Sequence, residues 1–182
     1  PELAPFSKTY ADGAPQIVWT TLVADMETPV SAMMKLAERR ANAFLLESVE
    51  GGSVRGRFSI IGLRPDVIWR FKKNKAEINR QARIDPHAFE PCAEDPLTSF
   101  RSLLTESEID LPEGLPPMAS GLFGYMGYDA VRLAERIPDD NPDDLGVPDG
   151  LFLRPTVICI FDRLEDIVTI VTPVRPSEGL SA

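Results

Sequence analysis

Two β-forming segments decide the fold: FLRPTVICIF, residues 152–161, and IVTIVT, residues 167–172. Both are rich in β-branched and aromatic residues, which pack well on the pleated surface of a sheet. The five residues between them, 162–166, are mostly charged and supply a polar turn. The sequence therefore predicts a long antiparallel hairpin over residues 152–172.

Five segments upstream also have the composition of strands: residues 16–23, 43–46, 57–63, 67–72 and 76–79. The last two flank the polar turn Lys73-Asn74-Lys75, which predicts a second hairpin. The turn-forming residues Glu50-Gly51-Gly52-Ser53 separate the second segment from the third. Residues 43–46 and 57–63 are therefore expected to be two strands joined by a loop.

Two proline-containing signals predict the starts of helices. Thr28-Pro29 and Asp95-Pro96 each place a capping side chain before a proline at the first helical position. Apolar residues then recur at helical spacing, and we expect these stripes to be buried. The first stripe is Val30, Met33, Met34, Ala37 and Ala41, and the second is Leu97, Phe100, Leu103 and Leu104. A further short helix is predicted over residues 129–136.

The order of these elements indicates the α+β class. Runs of strands interrupted by few helices favour mostly antiparallel β-sheets with a few flanking helices over a doubly wound parallel fold. We expect one domain over residues 15–172, after a polar lead-in at residues 1–14. Residues 173–182 have the prolines, serines and glycine of a linker. They are predicted to lead toward a missing C-terminal domain.

Charge and composition exclude several classes of function. The 28 acidic and 19 basic residues give a net charge of -9, so neither nucleic acid nor an anionic membrane is an expected partner. Cys92, Cys159 and a single His87 argue against a disulfide framework and against a zinc site. No segment approaches the roughly 20 apolar residues of a membrane span. We expect a cytoplasmic protein with no metal or cofactor in this chain.

Three glycines, Gly121, Gly124 and Gly127, recur at every third position. This spacing differs from that of the loops that bind nucleotide phosphates. Glycine within a strand more often marks a close approach of backbone to backbone or a bulge. Close packing is therefore the predicted role of this series.

A candidate binding motif lies at Leu45-Leu46-Glu47-Ser48, where an apolar run meets two polar residues. A carboxylate can bind the ammonium group of a ligand, and a serine hydroxyl can both donate and accept a hydrogen bond. A neighbouring sheet can supply an apolar slot. The same pattern also fits the end of an ordinary strand, so these residues alone leave both interpretations open.

Three stretches, taken in order, resemble the N-terminal region of anthranilate synthase component I. They are FLLES at residues 44–48, RGRFSIIG at 55–62 followed by Pro65-Asp66, and GLFGYMGYD at 121–129 followed by Glu135. Their order and separation extend the resemblance over residues 15–175, nearly the whole chain. The resemblance implies part of the fold of that chorismate-utilising family.

The same resemblance implies a regulatory site. In that family the leucine-glutamate-serine motif lines the place where L-tryptophan, the end product of the pathway, binds and inhibits. The strand that follows the motif lies alongside. The tryptophan contacts implied for this chain are Leu46, Glu47, Ser48, Arg57, Phe58 and Ser59.

Family members are lyases of tryptophan biosynthesis that convert chorismate to anthranilate. They use Mg²⁺ and take ammonia from a glutamine amidotransferase subunit. The resemblance assigns the residues that bind chorismate and Mg²⁺ to the missing C-terminal half, so it implies no catalytic residue and no metal ligand in this chain. We expect this fragment to be inactive alone, and to form a homo-oligomer through the apolar face that the other half would cover.

Three alternatives remain beside this interpretation. Aminodeoxychorismate synthase component I shares the fold and has a related motif. The chain can instead act mainly as an interaction module that docks the amidotransferase subunit or the missing half. The third alternative, an independent carboxylate-based hydrolase, has 28 acidic residues to draw on but no pair that the sequence specifies.

Overall fold

The computed structural model describes residues 3–37, 41–47, 56–140 and 142–176. The turn predicted at Glu50-Gly51-Gly52-Ser53 lies outside these residues. The chain divides into two compact units. The first unit comprises Pro1–Arg64, Ile109–Ser120 and Pro155–Ala182, and the second comprises Pro65–Glu108 and Gly121–Arg154.

The described residues form three α-helices, ten strands and two short 3-10 helices. The α-helices are α1 (Leu3–Ala11), α2 (Pro29–Ala37) and α3 (Pro96–Ser107). The strands are β1 (Gln16–Val23), β2 (Phe44–Glu47), β3 (Phe58–Leu63), β4 (Val67–Lys72), β5 (Lys75–Asn79), β6 (Glu90–Pro91), β7 (Phe123–Met126), β8 (Gly150–Arg154), β9 (Val157–Asp162) and β10 (Ile167–Val174). The 3-10 helices are Pro117–Ala119 and Tyr128–Leu133.

The first unit contains a five-stranded sheet in the order β1-β10-β9-β3-β2, with every described pair antiparallel. Helix α2 packs on one face of this sheet. The buried residues of that core are Ala32, Ile61, Leu63, Cys159 and Phe161. The antiparallel pairing and the few helices confirm the predicted α+β class.

The second unit contains another five-stranded antiparallel sheet, in the order β6-β5-β4-β8-β7. Its core centres on Trp69, which is 1% exposed and whose indole N–H donates to the Ser99 hydroxyl over 3.1 Å. The Phe100 ring on α3 stacks 4.8 Å from the Trp69 ring and 4.5 Å from the Phe152 ring. As predicted, Asp95 caps α3, and its side chain accepts from the backbone N–H groups of Leu97 and Thr98.

Gly124 confirms the close packing expected of the glycine series. A Cβ atom at this position would lie 1.9 Å from the backbone oxygen of Leu151 on the neighbouring strand β8. No side chain fits at that distance. Strand β7 therefore lies against β8 only because residue 124 is glycine.

The hairpin predicted over residues 152–172 is wrong in its first strand. The structure divides residues 152–161 at Pro155-Thr156 into β8 and β9, which belong to different sheets. Proline has no N–H to donate to a ladder, so an uninterrupted central strand is disfavoured there. The second half of the hairpin, β9 with β10, is confirmed, with Asp162 opposite Ile167.

The stripe predicted to be buried on α2 is also partly wrong. Met34 is 77% exposed and Val30 is 49% exposed, whereas Ala32 is buried and Met33 packs against the core. The buried face is therefore rotated by about one residue from the predicted one. Because α2 is apolar nearly all round, its hydrophobic period alone does not specify the face. Helix α1 was not predicted at all.

A network of charges is built into the second unit around Arg154, whose side chain is 9% exposed. Its guanidinium donates to both carboxylate oxygens of Asp66, at 2.9 and 3.1 Å, and to the carboxylate of Glu106 at 3.1 Å. Glu106 also accepts two hydrogen bonds from Arg80, at 2.8 and 2.7 Å. The buried arginine is thus matched by two carboxylates.

We predict that Arg154→Met destabilises the chain by about 1.5–3 kcal/mol, because it removes the charge-assisted hydrogen bonds that the buried guanidinium donates to Asp66 and Glu106. Arg80→Met is the matched control: it removes an exposed partner of the same Glu106 and is expected to cost about 1 kcal/mol or less. Urea denaturation monitored by tryptophan fluorescence measures both. Equal losses in the two variants would contradict the structural role of Arg154.

We also predict that the chain loses stability in acid. The Arg80 guanidinium hydrogen-bonds Glu106 and holds the pKa of that carboxyl below its ordinary value of 4.5. Such a group stabilises the fold fully above about pH 5, and its contribution is lost as the pH falls through the folded-state pKa. The free energy of unfolding, measured in urea from pH 7 to 3, should fall less steeply for Glu106→Gln. The exposed Glu113→Gln control should keep the wild-type slope.

Candidate functional site

One row of side chains crosses all five strands of the first sheet on the face that α2 covers. Its members are cross-strand partners in the order Leu22, Val168, Phe161, Ser59 and Glu47. Residues directly opposite each other in an antiparallel ladder present their side chains on the same face. The row is apolar over β1, β10 and β9 and becomes polar over β3 and β2.

Arg163 completes the polar end of the row. Its Nη2 atom donates to Oε1 of Glu47 over 3.1 Å and to the hydroxyl oxygen of Ser59 over 3.4 Å. Ser59 is fully buried, whereas the side chains of Glu47 and Arg163 are 36% and 41% exposed. A carboxylate and a guanidinium are therefore paired within reach of solvent, above a buried hydroxyl.

The apolar end of the row borders an open cavity of about 230 Å³. Leu22, Val168 and Phe161 of the row line it, together with Cys159 of the same sheet face. Burial raises the pKa of the Cys159 thiol, so this residue stays protonated at neutral pH and acts as a small apolar side chain. The row thus joins an apolar cavity to a pair of opposite charges.

The turn between β9 and β10 positions Arg163. The backbone N–H of Arg163 donates to the carbonyl of Arg57 over 3.0 Å. The preceding residue, Asp162, accepts from the Arg57 side chain at 2.9, 2.9 and 2.5 Å and from the backbone N–H of Leu164 at 3.0 Å. The Arg57 guanidinium holds the pKa of the Asp162 carboxyl below its usual range. Arg163 therefore has a fixed backbone and a half-exposed side chain.

The structure brings together two of the six residues that the resemblance implied as tryptophan contacts. Glu47 and Ser59 are cross-strand partners on the α2 side of the sheet. Leu46 pairs with Ile60, which places its side chain on the opposite face.

Two more of the implied contacts, Phe58 and Arg57, lie on the other side of the sheet from Glu47. Phe58 pairs with Asp162, one position along from the Ser59 pair, and therefore shares the opposite face with Leu46. The Arg57 guanidinium lies 4.9 Å from the centre of the Phe58 ring. Ser48 lies outside the described residues.

Sequence reasoning missed the apolar members of the row, Leu22, Val168 and Phe161, and it also missed Arg163. Residue 161 lies near the end of a predicted strand, and residue 163 lies in the turn that was predicted only as a connector. The signal that could have found them is the alternation of the strand: position 161 faces the same side as Cys159, and the turn begins one residue later. Their proximity to Glu47 depends on β9 lying next to β3, which the sequence does not specify.

The second unit has a larger cavity, of about 570 Å³, bordered by the β4–β5 turn and by the acidic residues that follow position 138. Lys72 pairs with Asp143 at 2.6 Å, and Lys73 pairs with Asp139 at 3.4 Å. The basic residues of this turn are therefore neutralised by neighbouring carboxylates. Across the described residues, no group of three or more His, Cys, Asp or Glu side chains is arranged to hold a metal ion.

No helix in the described part of the chain is long and apolar enough to cross a membrane. No family profile matches the chain. A crystal structure of anthranilate synthase component I from Streptococcus pneumoniae shares the fold, with a TM-score of 0.51 at 22% identity. That match covers 86% of this chain and 31% of the other.

Individual relatives match in sequence over nearly the whole chain. Anthranilate synthase component 1 of Cereibacter sphaeroides is 49% identical over 177 residues, which are 97% of this chain and 35% of the relative. The protein of that name from Thermus thermophilus is 40% identical over 162 residues, 89% of this chain and 33% of the relative. The chain thus spans about a third of the length of these curated relatives, and it belongs to the anthranilate synthase component 1 family, corresponding to its N-terminal region.

Proposed function

We propose that this chain is the regulatory part of an anthranilate synthase component 1 and that it binds L-tryptophan as a feedback inhibitor. The observation that carries the proposal is the row from Leu22 to Glu47, which places an apolar cavity and a half-exposed carboxylate on one face of one sheet. An aromatic amino acid has the matching chemistry. Its ring can be buried at one end while its charged groups remain near water at the other.

Each part of the ligand has a partner in this arrangement. The Glu47 carboxylate accepts hydrogen bonds from the ligand's ammonium group, and such charge-assisted bonds are stronger than neutral ones. Ser48 follows Glu47 directly in the chain and contributes a hydroxyl. The buried Ser59 hydroxyl lies between the charged pair and Phe161. Phe161 and Val168 then provide an apolar wall for the indole ring.

Leu46, Arg57 and Phe58 act from the opposite face of the sheet. Arg57 clamps Asp162 and so fixes the turn that carries Arg163. Leu46 and Phe58 lie on that face of β2 and β3. We propose that these three residues support the tryptophan site without supplying its polar contacts.

On this proposal, catalysis takes place in the region of the relatives that this chain does not span. That part would bind chorismate and Mg²⁺ and would receive ammonia from a glutamine amidotransferase subunit. Tryptophan would inhibit by binding one conformation of the enzyme more tightly than another. The relatives that match over most of this chain carry the name anthranilate synthase component 1, which favours the anthranilate product.

A second function, as a docking module, is favoured by apolar side chains that are exposed on α2, at the end of β1 and in the turn between them. They are Leu22, Val23, Met26, Val30 and Met34. Apolar side chains grouped in this way suit contact with another protein surface, such as the amidotransferase subunit, the rest of the protein or a second copy of the chain. The two functions differ in their need for Glu47, because docking through α2 does not require a carboxylate on β2.

The tryptophan site is tested by Glu47→Ala and Ser48→Phe in the full-length component 1 that carries this sequence. The first change removes the ammonium's partner and is expected to weaken inhibition by about one to two decades, since a charge-assisted hydrogen bond contributes about 1.5–3 kcal/mol. The second fills the site with a ring. Tryptophan is titrated at fixed chorismate, and turnover without tryptophan should be unchanged.

Glu77→Ala is the matched control for Glu47→Ala, because Glu77 is a half-exposed strand carboxylate that also pairs with an arginine, Arg70. It should leave inhibition intact. Undiminished inhibition in both test variants would reject the assignment. A parallel loss of basal turnover would make these residues structural.

The 182-residue chain alone is predicted to make no anthranilate, because the chorismate and Mg²⁺ sites are assigned to the rest of the enzyme. Anthranilate fluorescence is followed with chorismate, Mg²⁺ and ammonia present. The full-length component 1 serves as the positive control in the same buffer. Product above the protein-free blank from the short chain would show that it carries a catalytic site.

A further inference from the structure

We propose that Arg163 binds the carboxylate of the amino-acid inhibitor and that the ligand gains this contact by replacing Arg163 at Glu47. This inference rests on the proposed function and adds to it a ligand-binding residue from the β9–β10 turn. Glu47 and Arg163 would then recognise the two charged groups that every α-amino acid carries. The pair would select an amino acid over an amine or an acid that shares its ring.

The observed pair has the composition that such recognition needs. A carboxylate is acceptor-only, and a guanidinium is donor-only with five N–H groups in a planar fork. Glu47 therefore suits an ammonium group, and Arg163 suits a carboxylate. Within the described residues, the side-chain hydrogen bonds of Arg163 come from Nη2 alone, to Glu47 and Ser59. The other edge of the guanidinium fork can meet a ligand carboxylate.

Exposure makes the pair exchangeable. The side chains of Arg163 and Glu47 are 41% and 36% exposed, and ion pairs at this exposure contribute little to stability because water screens them. When the ligand ammonium replaces Arg163 at Glu47, the protein loses only the weak ion pair between these two side chains. The ligand then makes two charge-assisted contacts, one with Glu47 and one with the released Arg163.

The backbone of Arg163 limits how far its side chain can move during this exchange. Its N–H is bonded to the Arg57 carbonyl, and Asp162 before it is clamped by the Arg57 side chain. The guanidinium can therefore rotate about its own side-chain bonds while its Cα stays in place. After the exchange, the guanidinium must still lie near Glu47. The carboxylate of the ligand lies there too, because in an α-amino acid it is only two bonds from the ammonium nitrogen that Glu47 binds.

The direction of the row fixes the orientation of the ligand. Glu47 lies on the edge strand β2, and Phe161 lies two strands further in, beside the apolar cavity. Charged groups held by Glu47 and Arg163 leave the side chain of the ligand pointing across Ser59 toward that cavity. A ligand with the same two charges but a small side chain would leave the cavity unfilled and would bind more weakly.

The test is a comparison of two ligands in the full-length component 1. L-tryptophan carries both charged groups, and tryptamine lacks only the carboxylate. Binding of each is measured by calorimetry for the wild type and for Arg163→Gln. We expect Arg163→Gln to weaken tryptophan binding about ten- to hundredfold, the usual effect of a lost charge-assisted hydrogen bond. Tryptamine should bind equally well or more tightly, because Glu47 no longer has a competing partner.

Two further variants serve as controls for the effect of Arg163→Gln. Arg163→Lys keeps the positive charge and should recover part of the tryptophan affinity. Arg101→Gln removes an exposed arginine from α3 in the second unit and should change neither affinity. Circular dichroism and the urea midpoint of each variant establish that it is folded.

The outcomes separate this inference from the function on which it rests. If wild-type protein binds no tryptophan, the proposed function itself fails. If wild-type protein binds tryptophan and Arg163→Gln binds it equally well, the regulatory function stands and the role of Arg163 is rejected. Equal weakening of tryptophan and tryptamine by Arg163→Gln also rejects it, since the effect would then not involve the ligand carboxylate.

Discussion

The register of the first sheet is the constraint on which the candidate site depends. Side chains alternate between the two faces of a strand, so a slip of β2 by one residue would put Leu46 in the place of Glu47. Phe44 and Gly62 oppose that slip: a Cβ atom at position 62 would lie 2.1 Å from Cζ of the Phe44 ring. Only glycine leaves room for this ring, and the pairing of Phe44 with Gly62 sets that of Glu47 with Ser59.

An ion pair on the face of the sheet opposite α2 fixes the turn between β9 and β10. Arg57 precedes β3 and bonds both oxygens of Asp162, which ends β9. The same Asp162 accepts the backbone N–H of Leu164, so the first residues of the turn are held to its carboxylate. Arg163 lies between these two anchored residues. The ion pair of Arg57 and Asp162 on one face of the sheet thus fixes the backbone from which the Arg163 side chain extends toward Glu47 on the other face.

The sequence predicted most strands and the helix starts at Thr28-Pro29 and Asp95-Pro96, because local composition and capping chemistry decide those features. The binding role of Glu47 was implied by the family resemblance and stays a prediction. Prediction from the sequence failed for features that depend on which strands and helices lie next to one another. Pro155 lies inside a segment predicted as one strand and is the point where the chain changes sheets. Arg163 looked like one charge in a polar turn, and its place beside Glu47 follows from strand order, a long-range property that no local pattern contains.

Burial decides what an arginine and a carboxylate do in each unit. In the second unit the Arg154 side chain is 9% exposed, so loss of its carboxylate partners would leave a buried guanidinium that water solvates poorly, and these contacts hold the structure. In the first unit the pair of Glu47 and Arg163 is screened by water on one side, and its partners can be exchanged at little cost. A pair that a ligand can enter must therefore lie near the surface, whereas an aromatic ring requires a buried apolar wall. The part of the row that runs from Phe161, inside the sheet, to Glu47, on the edge strand β2, meets both requirements.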